Sequence, residues 1–228
     1  MSAEYIICTN RSWVVDSFLK VRMSLLGNWS VCLCPEDLIH MANTRNPRYI
    51  FFPHWSFIVP EEILVKHECV CFHMTDVPYG RGGSPLQNLI VRGHESTLLT
   101  ALRMTSEIDA GPIYLKRPLS LEGSAQNIFQ RSADLSMKMI AEIVAIEPEP
   151  ADQEGEPTMF SRRKPAQSEL PDNSTVKSLY DHIRMLDAPG YPHAFLRYGS
   201  WHLVFTDAHL KGDALEARVQ FHASDSRD

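Results

Sequence analysis

At 228 residues, with 44% hydrophobic and 22% charged side chains, the chain has room for one sizeable domain and a small appendage, and its composition is ordinarily globular. The net charge is −6 and no block of lysines or arginines stands out. A protein that neutralises many phosphates needs a basic stripe, so no nucleic-acid partner is expected. No stretch reaches the roughly 18–20 uninterrupted apolar residues of a membrane helix. The opening Met1-Ser2-Ala3-Glu4-Tyr5 lacks a charged-then-apolar leader, so a cytoplasmic location without membrane contact is expected.

In chain order, Tyr5–Thr9 reads as a strand and Trp13–Leu25 as a helix with apolar residues at helical spacing. Ser30–Cys34 is strand-like, Glu36–Ala42 helical, Tyr49–Phe52 a strand, Glu61–Lys66 a short helix and Val70–His73 another strand. Pro85–Arg92 follows as a helix, then strands at Thr97–Met104 and Ile113–Leu119, separated by a tight turn at Asp109-Ala110-Gly111-Pro112. Ser124–Ile146 is the longest helical pattern, with Ile128, Leu135, Met139, Ile140 and Ile143 along one face. This alternation predicts an α/β architecture: a mostly parallel sheet flanked by helices, with ligands bound beyond the carboxyl ends of its strands.

Glu147–Pro157 holds three prolines and five acidic residues and reads as a solvated connection. Beyond it come a basic turn at Arg162-Arg163-Lys164, a helix at Val176–Leu186, and strands at His193–Tyr198 and Trp201–Thr206 joined by a Gly199-Ser200 hairpin turn. The tail Ala217–Asp228 is polar and is expected to fray. The division expected is residues 1–150 as the α/β domain and 151–228 as a small α+β subdomain with a helix and a β-hairpin. The apolar hairpin could supply a homodimer surface.

Five cysteines, Cys8, Cys32, Cys34, Cys69 and Cys71, are an odd number in a chain without an export signal, which argues for reduced thiols. The two Cys-x-Cys pairs lie in short apolar runs and lack the usual spacing of two to four intervening residues, so no metal site is expected.

The densest chemistry lies in Cys71-Phe72-His73-Met74-Thr75-Asp76-Val77-Pro78-Tyr79-Gly80-Arg81-Gly82-Gly83-Ser84-Pro85. His73 stands where a strand hands over to a glycine-rich loop. An unperturbed imidazole titrates near pH 6.5 and can take a proton from an amine near neutrality. Gly80-Arg81-Gly82-Gly83 fails as a dinucleotide loop, because position 85 is Pro85 and the segment comes too late for a first βα turn. Asp109, in Glu107-Ile108-Asp109-Ala110-Gly111-Pro112, has by itself the composition of a turn.

Taken together, His73-(x4)-Pro78-(x2)-Arg81-Gly82-(x2)-Pro85, then Thr97-x-x-Thr100, then Asp109-x-Gly111, resemble the catalytic domain of folate-dependent formyltransferases. That family includes enzymes acting on methionyl-tRNA, on glycinamide ribonucleotide and on amino sugars. The resemblance implies a Rossmann-like catalytic domain over residues 1–150 and 10-formyltetrahydrofolate as formyl donor, with no metal. His73 would be the base that relieves the attacking amine of its proton, and Asp109 would orient and charge-balance the ring. Tyr49–Pro60 looks like the family's pterin-cradling strand and loop, which implies Trp55, Phe57, Ile58 and Val59 as donor-binding residues, joined by Glu107 and Ile108. The acceptor side falls to Asn10, Arg11, Tyr79, Arg81 and Gly82, with Arg81 either on an acceptor diphosphate or in a loop-fixing ion pair.

One departure stands out. The family has Asn-x-His where this chain has Cys71-Phe72-His73. The asparagine amide donates to a developing oxyanion, one such donor is worth roughly 3–4 kcal/mol, and a thiol donates poorly. Thr75, Gln87, Asn88, His54 or a backbone amide could replace it, and Cys71 is itself a candidate catalytic residue. The segments Phe160–Glu169, Ile183–Leu186 and Gly190–Phe195 resemble those that follow the catalytic domain in amino-sugar formyltransferases. With no large basic C-terminal domain in view, the expected acceptor is a small amine: a nucleotide-linked 4-amino-4,6-dideoxy sugar, used in surface-glycan or pseudaminic-acid-type biosynthesis; the alternatives are a formyltransferase acting on a different amine and a folate- or nucleotide-binding protein that has lost catalysis.

Overall fold

The computed structural model describes residues 2–223. Two compact units emerge: residues 2–82 with Thr97–Leu119 and Gln130–Met159, and Gly83–Ser96 with Ser120–Phe129 and residues 160–223.

In the first unit, β1 (Glu4–Cys8), α1 (Ser12–Val21), β2 (Asn28–Cys32), α2 (Pro35–Arg45), β3 (Tyr49–Phe52), α3 (Glu61–Lys66) and β4 (Cys69–His73) follow one another as expected. These four strands pair in parallel, with Ile6 beside Ser30 and Ile50, and Phe51 beside Val70. After β5 (Tyr79–Gly82) and α4 (Pro85–Val91), β6 (Ser96–Arg103) joins antiparallel to β4, with His73 opposite Thr100. β7 (Ile113–Ser120) completes the order β2-β1-β3-β4-β6-β7, and α5 (Ala125–Ile146) follows. The helical limits obey local chemistry. α2 opens on Pro35 with Glu36 and Asp37 in its first turn, and closes on Asn46 in the left-handed region.

Every side chain of β3 is buried, as a strand covered on both faces requires. On one face Tyr5, Trp29 and Phe51 stack in a row, with Trp29 4.7 Å from Tyr5 and 6.0 Å from Phe51. On the other, Cys8, Cys32 and Cys69 lie with Ile6, Ile50, Leu38, Ala42 and Ile63. The alternation of a strand thus accounts for these cysteines as small apolar filling. All five are free thiols. Among the described residues no group of three His, Cys, Asp or Glu side chains is arranged to hold a metal, and no helix is long and apolar enough to cross a membrane.

At the opposite end from His73, Glu68 accepts from Arg48, Arg103 and the Tyr114 hydroxyl, while Arg48 also reaches Glu147 at 2.8 Å. Burial alone would raise the Glu68 carboxyl, but these donors outweigh it and hold it below its usual range. A depressed folded value stabilises above the unfolded pKa of about 4.3 and is lost as pH falls through the folded one. Thermal melts from about pH 5 to about pH 3 should therefore show a shallower acid loss in Glu68→Gln than in the wild type.

The connection after α5 departs from expectation. Ala151 exchanges both backbone hydrogen bonds with Ile113, at 2.7 and 2.9 Å, and Thr158 N–H donates to Pro78 O within a ribbon of β5 and β8 (Thr158–Phe160). The acidic, proline-rich segment is thus tied to the sheet rather than simply solvated.

In the second unit, α6 (Val176–Arg184), capped by the Thr175 hydroxyl, packs against an antiparallel sheet of β9 (Ala194–Tyr198), β10 (Trp201–Lys211) and β11 (Ala214–Ala223). The Gly199-Ser200 turn is present, but β10 is longer than expected and β11 corrects the fraying tail over Ala217–Ala223. A second two-residue turn at Gly212-Asp213, with Gly212 at φ 57°, makes that hairpin possible. Residues 224–228 of the expected tail lie outside the described residues. The Arg184 guanidinium, 6% exposed, donates to Leu121 O and Gly123 O at 2.6 and 2.9 Å, which identifies its segment as packing.

Candidate active site

His73 closes β4 at the carboxyl end of the sheet and is 8% exposed. Its Nε2 lies 2.8 Å from Gly80 O, and its Nδ1 3.5 Å from Asp109 Oδ2. A carbonyl oxygen can only accept, so Nε2 carries the hydrogen. The lone pair able to take up a proton is therefore on Nδ1, the nitrogen that faces the carboxylate. The loop that delivers Gly80 O is itself fixed. Thr100 Oγ1 donates to Thr75 O at 2.7 Å, Thr75 Oγ1 to Gly80 O at 3.3 Å, and Lys116 reaches Asp76 and Val77 O.

Asp109 sits in the left-handed region, at φ 54°. Its Oδ2 accepts the Gly82 N–H at 2.9 Å. Two residues on, a Cβ on Gly111 would come 1.9 Å from Arg103 O, so only glycine lets this turn lie against β6. The Asp-x-Gly composition is thus a turn and a site component at once.

Arg81, with its side chain 13% exposed, bonds Gln153 Oε1 through Nε and Nη2 at 3.1 and 2.9 Å and lies 3.4 Å from Glu107. Of its two expected roles, this geometry is that of a loop-fixing pair. Gln153, not anticipated from the sequence, also donates to Asp109 O and Gly111 O, both at 2.8 Å. Arg11 reaches Ser56 Oγ at 3.3 Å and lies over Trp13, with Asn10 exposed beside it. Tyr79 is half-buried.

The expected donor-binding residues divide by exposure. Phe57, Ile58 (92% exposed) and Ile108 (67%) present apolar surface, whereas Val59 is buried and Trp55 packs against the core cluster that contains it. Trp55 meets Phe52 and Phe57 edge-on, at 5.9 and 5.1 Å.

Cys71 lies two residues before His73 on β4, hence on the same face. Burial first, and the Asp109 charge second, push its thiol well up. A neutral thiol is neither a nucleophile nor a strong donor. Iodoacetamide at neutral pH should accordingly label the more accessible Cys34 before Cys71 in peptide mapping; rapid Cys71 labelling would contradict this. Among the four side chains considered as replacements for the family asparagine, Thr75 donates to Gly80 O, Gln87 to Met185 O, and Asn88 to Gly83 O, Ser84 O and Ser161 O. His54 is driven down to about 3 by burial and then by Arg11, so it is a neutral ring.

Comparison with known proteins sharpens this. Residues 165–222 match the family description of the methionyl-tRNA formyltransferase C-terminal domain. A solved methionyl-tRNA formyltransferase from Clostridium thermocellum is 42% identical, covers 97% of this chain and 99% of its own, and superposes with a TM-score of 0.94. The curated methionyl-tRNA formyltransferase of Rickettsia massiliae (strain Mtu5) is 31% identical over 114 residues, which is 48% of this chain and 38% of that protein. The chain thus spans well under half the length of that curated relative. HypX from Aquifex aeolicus, solved with tetrahydrofolic acid, shares the fold at 15% identity and a TM-score of 0.74, over 90% of this chain and 37% of its own.

These findings overturn two expectations. A solved relative 42% identical along nearly its whole length is named for methionyl-tRNA, which overturns the nucleotide-linked amino sugar in favour of a different amine, and the exclusion of nucleic acid falls with it. An acidic balance does not exclude that acceptor, since a protein matched over nearly the same extent carries that name. By its identity over almost the full length of a solved relative, and by the fold and matched C-terminal segment that go with it, the chain belongs to the formyltransferase family.

Proposed function

We propose that this protein transfers the formyl group of 10-formyltetrahydrofolate to the α-amine of methionyl-tRNA. The observation that carries the chemistry is the His73–Asp109 pair, with Nε2 held by Gly80 O and Nδ1 turned to the carboxylate. The acceptor assignment draws on the 42% identity with a protein of that name.

The folate supplies a formyl group on a nitrogen that can leave as an amine. The exposed apolar side chains Phe57, Ile58 and Ile108 fit a ligand with a flat, weakly polar ring. His73 Nδ1 takes the proton that the acceptor amine sheds on attack, Asp109 stabilises the imidazolium so formed, and the ring gives that proton to the departing nitrogen as the tetrahedral adduct collapses. The Gly80 carbonyl fixes the ring plane throughout, which keeps the cost of orientation low. Cys71 contributes shape, and the amine attacks directly without a covalent enzyme intermediate.

The test is incubation with 10-formyltetrahydrofolate and methionyl-tRNA, followed by deacylation and mass analysis. N-formylmethionine is the expected product. Formate released at the same rate without acceptor, or no product at all, would contradict the assignment.

A further inference from the structure

Gln153 lies in a segment that composition marks as a connector, yet its amide is fully used inside the site. Nε2 donates to Asp109 O and to Gly111 O, both at 2.8 Å, and Oε1 accepts from Arg81 Nε and Nη2. Arg81 precedes Gly82, whose N–H holds Asp109 Oδ2. The result is a closed ring of contacts: Asp109 backbone, Gln153, Arg81, Gly82, and back to the Asp109 carboxylate.

From this geometry we infer that Gln153 is a positioning residue for the reaction proposed above, setting where the Asp109 carboxylate stands against His73 Nδ1. The inference rests on that reading. A neutral amide is the group the place requires, because two carbonyls need donors while a guanidinium needs an acceptor. A carboxylate would serve Arg81 but leave both carbonyls facing an anion. Asp109 holds a left-handed conformation that costs roughly 1–3 kcal/mol and persists only where its surroundings over-determine it. The Gly111 contact with Arg103 fixes the turn from one side, and Gln153 fixes it from the other. The connector stays in place without this side chain, because Ala151 is paired with Ile113 through the backbone.

The experiment compares wild type, Gln153→Ala and Gln153→Glu in formyl-transfer kinetics and in amide exchange at Gly82. Misplacing a catalytic pair by about 1 Å can cost 100-fold, so kcat should fall roughly 10- to 100-fold in both variants. The KM for the folate should barely move, and the Gly82 amide should exchange faster. Gln153→Glu, which keeps an acceptor for Arg81, should not rescue. An unchanged kcat, full activity in Gln153→Glu, or unaltered Gly82 exchange would overturn the inference. A wild type that transfers no formyl group would instead remove the parent reading, and Gly82 exchange would still decide whether Gln153 fixes the turn.

Discussion

Replacing His73 by alanine should lower formyl transfer by about 100- to 10,000-fold, the span that a positioned general acid–base commonly supplies. The fold should survive. The ring is at the end of β4, and it is anchored by the Gly80 carbonyl and faces the Asp109 carboxylate. The backbone pairing of His73 with Thr100 does not depend on the side chain. Added imidazole should restore part of the rate, since the cavity left behind faces the Asp109 carboxylate. Near-wild-type turnover in His73→Ala would mean that the proton leaves by another route.

Asp109→Asn is expected to be nearly as damaging, by about 1,000-fold within the same range, although it preserves size and shape. Its oxygen can still accept the Gly82 N–H. That same oxygen position also faces His73 Nδ1, so the asparagine would set a neutral carbonyl beside the lone pair that the reaction needs. With Nε2 committed to Gly80 O, the ring cannot turn its other nitrogen to the task without losing that bond. The variant therefore keeps the geometry but removes the charge that stabilises the protonated ring. Single-turnover kinetics should show slow chemistry with folate binding intact; a simple loss of folate affinity would speak against this role.

Much of the fold was legible because its signals are local. The run Tyr-Ile-Phe-Phe at Tyr49–Phe52 has no polar side to offer water, and it became the strand buried on both faces. Cys-x-Cys in β4 followed the two-residue period, with Cys69 in the core and Cys71 packed against it. β11 carries the same period, masked by its polar residues. Leu215, Ala217, Val219 and Phe221 alternate with polar residues after a Gly212-Asp213 turn, but Glu216, Arg218 and Gln220 give the segment the look of a solvated tail.

The site was legible only where residues fall in a fixed spacing. His73 and Asp109 are separated by 36 positions (109 − 73), and the sheet brings them within 3.5 Å. Gln153 shows the limit. It lies among acids and prolines, and its partners are two backbone carbonyls and one guanidinium, none of which leaves a sequence signature. The tautomer of His73 is hidden for the same reason, since it is set by the carbonyl of Gly80 rather than by any side chain. The amino-sugar expectation fails because overall charge speaks to non-specific phosphate binding, whereas a single aminoacyl end can be recognised by a few contacts.

The most direct test is the nitrogen NMR spectrum of His73 in the 15N-histidine-labelled enzyme, assigned through His73→Ala. The account predicts that the neutral ring carries its hydrogen on Nε2, with Nδ1 appearing as the bare, proton-accepting nitrogen, and that Asp109→Asn perturbs Nδ1 selectively. A ring protonated on Nδ1 in its neutral form, with Nε2 bare, would contradict it.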